Sequence, residues 1–405
     1  MEKLKEREHD FSSKLRQNAT IQRLKDYIQW QRRCQKDGLD RELPILSPIS
    51  INLDLTSACN FSCPYCVDSK LINAGKSLTL ENVKKTIDTL HAHGLLSVIL
   101  IGGGEPTLHK DFGEVLRYLK SKRLQIGIVT NGSRLEKIEE VIGELTSGDW
   151  IRISIDAAGE GTFKNLHLPK TKVTLRGILE KAKKVKEKNP AVSWGYSFVI
   201  VWEGVEIKGK RLSPNLHEMP RSVELAREFS FDYVSFKPCL IRWAESHRET
   251  LLKDVEKTKE REIIDAVKSH LMEAKRLTGD RVKILESSNL KAMLNQEADR
   301  IKKQPKRCHM QFFRTVVTPF GIFHCPAFRG VEDARIGEWD GYVSERKLKE
   351  SLKRTGTSIL TFDAEEECKD VGCFYNWSNW WVEEFIHSGE DVHQIEKLED
   401  DNFFL

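Results

Sequence analysis

The strongest constraint on the fold of this chain is an alternation of short β-branched runs with amphipathic helical patterns between residues 51 and 238. Between the runs, apolar residues recur at three- and four-residue spacing, which is typical of helices that bury one face. The runs themselves predict six strands, at 51–55, 98–101, 126–129, 151–155, 197–201 and 233–236.

One of the predicted helices has clear ends. Its apolar stripe runs from Leu80 to Leu90, with Thr79 before it as an N-cap and Gly94 after it as a terminator. Six such strand–helix repeats predict an α/β fold with a parallel sheet covered by helices. Two repeats fewer than the full eight predict a partial (β/α)6 TIM-like barrel, although a doubly wound sheet fits the same periodicity.

The remaining segments divide the chain further. We expect an N-terminal helical extension at 1–48, the strand–helix core at 49–245 and a charged helical connector at 246–304. A small α+β domain with short β runs and a second cysteine group is expected at 305–385, and an acidic tail at 386–405.

Composition excludes several functional classes. The chain has 405 residues, 39% of them hydrophobic and 31% charged, as in ordinary soluble proteins. It has no apolar run of the length that spans a membrane and no apolar N-terminal signal, so we expect a cytoplasmic protein with no membrane partner. Its net charge of +4 gives no electrostatic case for nucleic acid.

Nine cysteines form two groups, and the first group directly follows the first predicted strand. Cys59, Cys63 and Cys66 are spaced by three and two intervening residues. Thiolates are the usual ligands of a [4Fe–4S] cluster, and three of them leave one of its four irons open for chemistry. A structural zinc site is the alternative, but it needs a fourth Cys or His nearby, and none lies within twenty residues on either side.

This cysteine spacing, in the loop after the first strand, resembles that of the radical S-adenosylmethionine (SAM) superfamily. Tyr65 matches the aromatic residue before the third cysteine, and Gly103, Gly104 and Glu105 match the glycine-rich segment after the second strand. The resemblance implies that Cys59, Cys63 and Cys66 hold the catalytic cluster and that the glycine-rich segment contacts the methionine amino group of SAM.

Two further matches fall at the ends of predicted strands. Asn131 follows the third strand, and Ser154 and Asp156 end the fourth. The resemblance implies that they bind the ribose and carboxylate of SAM, as Tyr65 and the glycine-rich segment bind its other parts, whereas termination of strands is their ordinary role. Lys164 or His167 is a further candidate for the SAM carboxylate.

The second cysteine group resembles the auxiliary-cluster modules called SPASM and twitch. Its members are Cys308, Cys325, Cys368 and Cys373, and they imply one auxiliary [4Fe–4S] cluster. A zinc ribbon held by the same four cysteines is the alternative. Outside both groups, Lys237 and Arg242 near Cys239 are candidates to meet an anionic substrate.

The resemblance implies an enzyme that cleaves SAM reductively to a 5′-deoxyadenosyl radical, which removes a hydrogen atom from the substrate. A flavodoxin- or ferredoxin-type protein would donate the electron. Two substrate classes compete: a small molecule, in cofactor, sugar or natural-product biosynthesis, and a ribosomal precursor peptide that is crosslinked or epimerised. The short polar segment before Cys59 favours the small molecule, since it does not resemble a peptide-recognition domain. A non-catalytic metal scaffold is the third alternative.

Overall fold

A computed structural model describes residues 11–37, 43–242, 249–252, 255–369 and 371–404. Its strands are β1 (Ser50–Leu53), β2 (Ser97–Leu100), β3 (Gln125–Thr130), β4 (Trp150–Ser154), β5 (Ser193–Ile200), β6 (Glu206–Ile207), β7 (Lys210–Arg211), β8 (Tyr233–Pro238), β9 (Ile241–Arg242), β10 (Glu249–Thr250), β11 (Lys283–Glu286), β12 (Arg314–Thr318), β13 (Gly321–Phe323) and β14 (Arg335–Gly337).

The α-helices surround this sheet. They are α1 (Phe11–Leu15), α2 (Ile21–Asp37), α3 (Leu80–Ala92), α4 (Phe112–Ser121), α5 (Leu135–Glu139), α6 (Glu160–His167), α7 (Leu175–Lys188), α8 (Met219–Glu228), α9 (Lys257–Arg276), α10 (Ser288–Leu294), α11 (Ala298–Ile301), α12 (Met310–Phe313), α13 (Glu345–Thr361), α14 (Ala364–Glu367) and α15 (Asn376–Ser388). Within the described residues, no helix is both long and apolar enough to cross a membrane.

Ten strands form one sheet in the order β11-β8-β5-β4-β3-β2-β1-β12-β13-β14. The six predicted strands, β1 to β5 and β8, are parallel neighbours in chain order. A doubly wound sheet would reverse its strand order at a switch point among these six strands, and they keep a single order. The prediction of a partial, open (β/α)6 barrel is confirmed.

Helix α3 shows how local sequence positions these elements. The Thr79 side chain accepts a hydrogen bond from Asn82 N at the first turn, which satisfies one of the free N–H groups there. The buried residues of the helix face the sheet, and Gly94 adopts a φ of 93° just beyond its end. The predicted boundaries of this helix are confirmed.

The segment at 246–304 was predicted to be a helical connector, but it is not purely helical. Besides α9, α10 and α11 it contributes β11, which pairs in parallel with β8. Two of the four residues of this strand are charged. The strand lies at the edge of the sheet, and none of its residues is fully buried. Because strands were predicted from apolar runs, this charged strand was not predicted.

The C-terminal part also joins the barrel sheet. Strand β12 pairs in parallel with β1, and β13 and β14 continue the sheet in antiparallel order. The cysteine group of the C-terminal segment is thus attached directly beside the first strand. Further on, Phe404 N donates to Gln125 Oε1 at 2.7 Å, so the acidic tail packs against the barrel.

Candidate active site

The three cysteines of the first group come together in the loop after β1. Burial, followed by the neighbouring thiols Cys66 and Cys59 and the carboxylate of Asp156, raises the pKa of Cys63 well above its usual value. Burial likewise raises the pKa of Cys66 to about 12 and raises that of Cys59. Thiolates crowded in this way need a compensating positive charge, which a metal cluster supplies, so the donor set fits such a group.

Cys63 also contacts a buried histidine. His167 Nδ1 lies 3.2 Å from Cys63 Sγ, and His167 Nε2 lies 2.7 Å from the carbonyl oxygen of Ile155. A carbonyl only accepts, so in the neutral ring Nε2 carries the proton and Nδ1 accepts the thiol proton of Cys63. His167 therefore forms a hydrogen bond with the cysteine loop. Lys164 is exposed on the surface of α6.

The glycine-rich segment packs against the cysteine loop. A Cβ on Gly104 would lie 2.4 Å from the carbonyl oxygen of Ala58, so only glycine fits there. Glu105 N donates to the same carbonyl at 2.8 Å, and Gly103 N donates to Asp68 Oδ2 at 3.1 Å. The two predicted SAM-binding segments thus form one rigid unit.

The carboxylate of Glu105 is buried and already hydrogen-bonded. Its Oε1 accepts from Thr107 and from Thr130 Oγ1, and its Oε2 accepts from Asn131 N at 2.7 Å. Oε2 keeps one acceptor position for a further donor. These bonds fasten the end of β3 to the glycine-rich segment.

Asn131 and Asp156 likewise hold neighbouring loops. Asn131 Nδ2 donates to Asn60 Oδ1 at 2.9 Å, which ties the end of β3 to the cysteine loop. Asp156 accepts from Tyr65 OH and from Val199 N, each at 2.7 Å. Its φ of 52° is left-handed, a conformation that aspartate tolerates better than most residues. The structure brings Tyr65 and Asp156 together as partners, which the sequence did not indicate.

A buried ion cluster lies beside this site. Arg329 pairs with Asp54 through Nε and with Asp68 through Nη1, both at 2.7 Å. Asp54 follows β1, Asp68 follows the third cysteine by two residues, and Arg329 follows Cys325 by four. The sequence analysis missed this cluster, because no motif connects three residues so far apart in the chain.

The four cysteines of the second group also meet. Burial raises the pKa of Cys308 to about 12, with Cys325 adding to the rise. Cys368 has its pKa raised well above the usual value by burial and then by Cys308, Cys325 and Cys373. Four thiols from three separate segments therefore lie close together, as ligands of a closed [4Fe–4S] site would.

Across the described ranges, no three His, Cys, Asp or Glu side chains are arranged around a single metal-ion position. In a [4Fe–4S] cluster each cysteine binds a different iron.

Comparison with known proteins agrees with this geometry. Residues 53–205 match the family model of the Radical SAM superfamily. The chain contains a radical SAM domain. Over residues 53–205 this finding confirms the predicted radical SAM domain, an enzyme domain that binds a [4Fe–4S] cluster and SAM.

The chain also matches curated relatives over part of its length. It is 34% identical over 114 residues to the S-adenosylmethionine-dependent nucleotide dehydratase of Selenomonas ruminantium, which covers 28% of this chain and 41% of that protein. It is 33% identical over 119 residues to the mycofactocin maturase MftC of Mycolicibacterium smegmatis, covering 29% of this chain and 30% of MftC. The chain thus matches less than half the length of either relative.

Solved structures extend the likeness to most of the fold. SuiB of Streptococcus suis has a TM-score of 0.57 at 14% identity and covers 89% of this chain and 78% of SuiB. The structure of anSMEcpe with bound AdoMet and the Cp18Cys peptide has a TM-score of 0.53 at 17% identity, covering 80% of this chain and 86% of that one. The radical SAM domain and its C-terminal extension therefore share their fold with these proteins.

Proposed function

We propose that this chain is a radical SAM enzyme that removes a hydrogen atom from a small-molecule substrate, leading to its oxidation or rearrangement. The observation that carries the proposal is the convergence of Cys59, Cys63 and Cys66 in a loop packed directly on the glycine-rich segment. When bound, the cluster and SAM supply a 5′-deoxyadenosyl radical.

The residues around the cluster loop have defined roles in this proposal. The three thiolates hold the cluster. The loop that carries them is fixed by Asn131 Nδ2, which donates to Asn60, and by the carbonyl oxygen of His167, which accepts from Ser62 N. Glu105 offers its remaining Oε2 acceptor position to the ammonium of SAM. Ser154, half-buried at the end of β4, is available to the SAM ribose. Each Asp156 oxygen accepts one hydrogen bond, from Tyr65 or from Val199, and keeps one acceptor position.

We assign the second thiol group, Cys308, Cys325, Cys368 and Cys373, to one auxiliary [4Fe–4S] cluster. Four thiolates complete its ligand shell, so it would exchange electrons rather than bind substrate. Strand β12 joins the segment of this group to β1, which keeps it beside the barrel. The flavodoxin- or ferredoxin-type donor and the cytoplasmic location remain predictions.

A peptide substrate is the second candidate. SuiB has been solved with its precursor peptide SuiA, and that structure covers 80% of this chain at a TM-score of 0.51. The small molecule stays the first candidate because the matched relatives include a nucleotide dehydratase. A second reason, described below, is a buried guanidinium nitrogen inside the barrel that has no hydrogen-bond partner among the described residues.

The test is anaerobic reconstitution followed by incubation with SAM and dithionite. Native protein is expected to release 5′-deoxyadenosine, and Cys63→Ala is expected to release none. The matched control is Cys34→Ala, which removes a buried thiol from α2 and should retain the activity. A reconstituted native protein that leaves SAM intact under strong reductant would overturn the proposal.

A further inference from the structure

The interior of the barrel is lined by alternate residues of its strands. Parallel pairing aligns Arg152 with Gly195 and Tyr233, and Ser154 with Ser197 and Ser235. Ile153, one position away, lies with Ile178 of α7 around Gly132, so it faces the helices. Because side chains alternate along a strand, Arg152 points the other way, into the barrel.

Lys237 belongs to the same inner row. It lies two residues beyond Ser235 on β8 and pairs with Val199 of β5. Inward-facing positions therefore present a guanidinium low on β4 and an ammonium higher on β8, with serine hydroxyls between their levels. This arrangement places two cations inside the barrel, toward the strand ends where SAM is expected to bind.

Aromatic rings lie below Arg152 and beside it. A Cβ on Gly127 would lie 2.4 Å from the ring of Trp150, and one on Gly195 would lie 2.1 Å from Tyr233 Cζ. Each ring therefore packs directly over a glycine, where any side chain would collide with it. The Arg152 guanidinium carbon lies 5.4 Å from the centre of the Trp150 ring, so the two side chains form a cation–π contact.

The two cations share a carboxylate neighbour within the barrel. Arg152 Nε is buried without a hydrogen-bond partner among the described residues. Burial, and then the charge of Arg152, lowers the pKa of Lys237 to about 7. The Asp156 carboxylate favours the charged form of both Arg152 and Lys237, so its single negative charge acts on two cations.

We propose that Arg152 and Lys237 bind an anionic group of the substrate, a carboxylate or a phosphate, inside the barrel. This inference rests on the proposed function, because it names the class of substrate that the same site would bind. A bound oxyanion gives the buried Arg152 Nε a partner and sets a negative charge between two cations that otherwise repel each other. The side chain of Arg242, the other basic candidate in this region, lies outside the described residues.

The proposal is tested by anion binding to the reconstituted protein, without turnover. Inorganic phosphate and acetate serve as separate probes, and sodium chloride at matched ionic strength is the reference. We expect phosphate or acetate to raise the thermal midpoint of the native protein above the chloride value. Arg152→Gln and Lys237→Met should each weaken that binding at least tenfold, and Arg152→Lys should restore part of it. Lys184→Gln, which removes an exposed cation from α7, should bind as the native protein does.

Two results would overturn the inference. One is a native protein that responds to both anions no more than to chloride. The other is at least tenfold weaker SAM binding by Arg152→Gln in equilibrium dialysis, which would show that the cations hold the carboxylate of SAM instead. Anion binding does not depend on SAM cleavage, so failure of the proposed function would be seen separately.

Discussion

Arg329 Nη1 lies 2.7 Å from Asp68 Oδ1, and both side chains are buried. Asp68 belongs to the loop of the first cysteine group, while Arg329 follows the second cysteine of the other group. The same guanidinium pairs with Asp54 at the end of β1. This ion cluster therefore connects the two cysteine groups through side chains that lie 261 positions apart.

Replacement of Arg329 should destabilise the protein strongly. In Arg329→Met, Asp54 and Asp68 remain buried without their cation, a situation that costs about 3–5 kcal/mol when one partner of a buried pair is removed. Urea denaturation under anaerobic conditions measures the loss. The matched control is Arg335→Met, whose partners Glu332 and Glu338 are exposed, and it should lose about 1 kcal/mol or less. Equal losses in the two variants would refute the role of burial.

Removal of a thiol from the second group should halve the iron content. Cys325→Ala is expected to lower iron from about eight to about four atoms per reconstituted chain, because it exposes an iron of the auxiliary cluster that, unlike the open iron of the first cluster, no SAM covers. Iron analysis with electron paramagnetic resonance checks this outcome. Cys34→Ala, which alters neither cysteine group, should keep the native content. If Cys325→Ala also keeps it, the assignment of the auxiliary cluster is wrong.

Lys237 should make stability depend on pH. Burial lowers its pKa in the folded protein from 10.5 to about 7, so between these values the unfolded chain binds the additional proton. Stability therefore rises as pH increases from about 7 toward 10.5, and the full cost of the buried ammonium is present below about 7. Lys237→Met removes that cost, so it should be the more stable protein at pH 7.

The measurement compares free energies of unfolding at pH 7 and pH 9. The advantage of Lys237→Met should shrink by roughly 1 kcal/mol or more over this interval. Lys164→Met controls for the loss of a lysine from the surface. A difference between Lys237→Met and native protein that stays constant with pH would contradict the expectation. A stability cost at this position is consistent with retention of Lys237 for binding.

The C-terminal tail should stabilise the lower end of the barrel. Phe403 packs with Ile99 and Trp150, and Lys14 pairs with Asp401 at 2.8 Å. We expect Phe403→Ala to lower the free energy of unfolding by about 2–4 kcal/mol, since a large buried side chain is lost. Glu396→Ala changes an exposed residue of the same tail and should stay within about 0.5 kcal/mol of native. Similar values for the two variants would show that the tail does not pack in solution.

Several features of this protein are determined by the sequence alone. The period of the apolar residues defines six strands and their helices, because a residue's burial depends on which face of an element it occupies. The spacing of Cys59, Cys63 and Cys66 predicts their convergence, since three close positions in one loop cannot lie far apart. Thr79 and Gly94 delimit α3 through local hydrogen bonds and backbone freedom.

Only the tertiary structure determined the rest. The pairing of β11 with β8 and of β12 with β1 depends on contacts between distant segments, and a short strand rich in charge carries no local signal of its partner. The same holds for Arg329 with Asp54 and Asp68, and for the placement of Arg152 and Lys237 inside the barrel. Most charged residues are exposed to solvent, so a sequence alone predicts exposure for each of them. Only the packing of the folded chain shows which charged side chains are buried and available to bind a ligand.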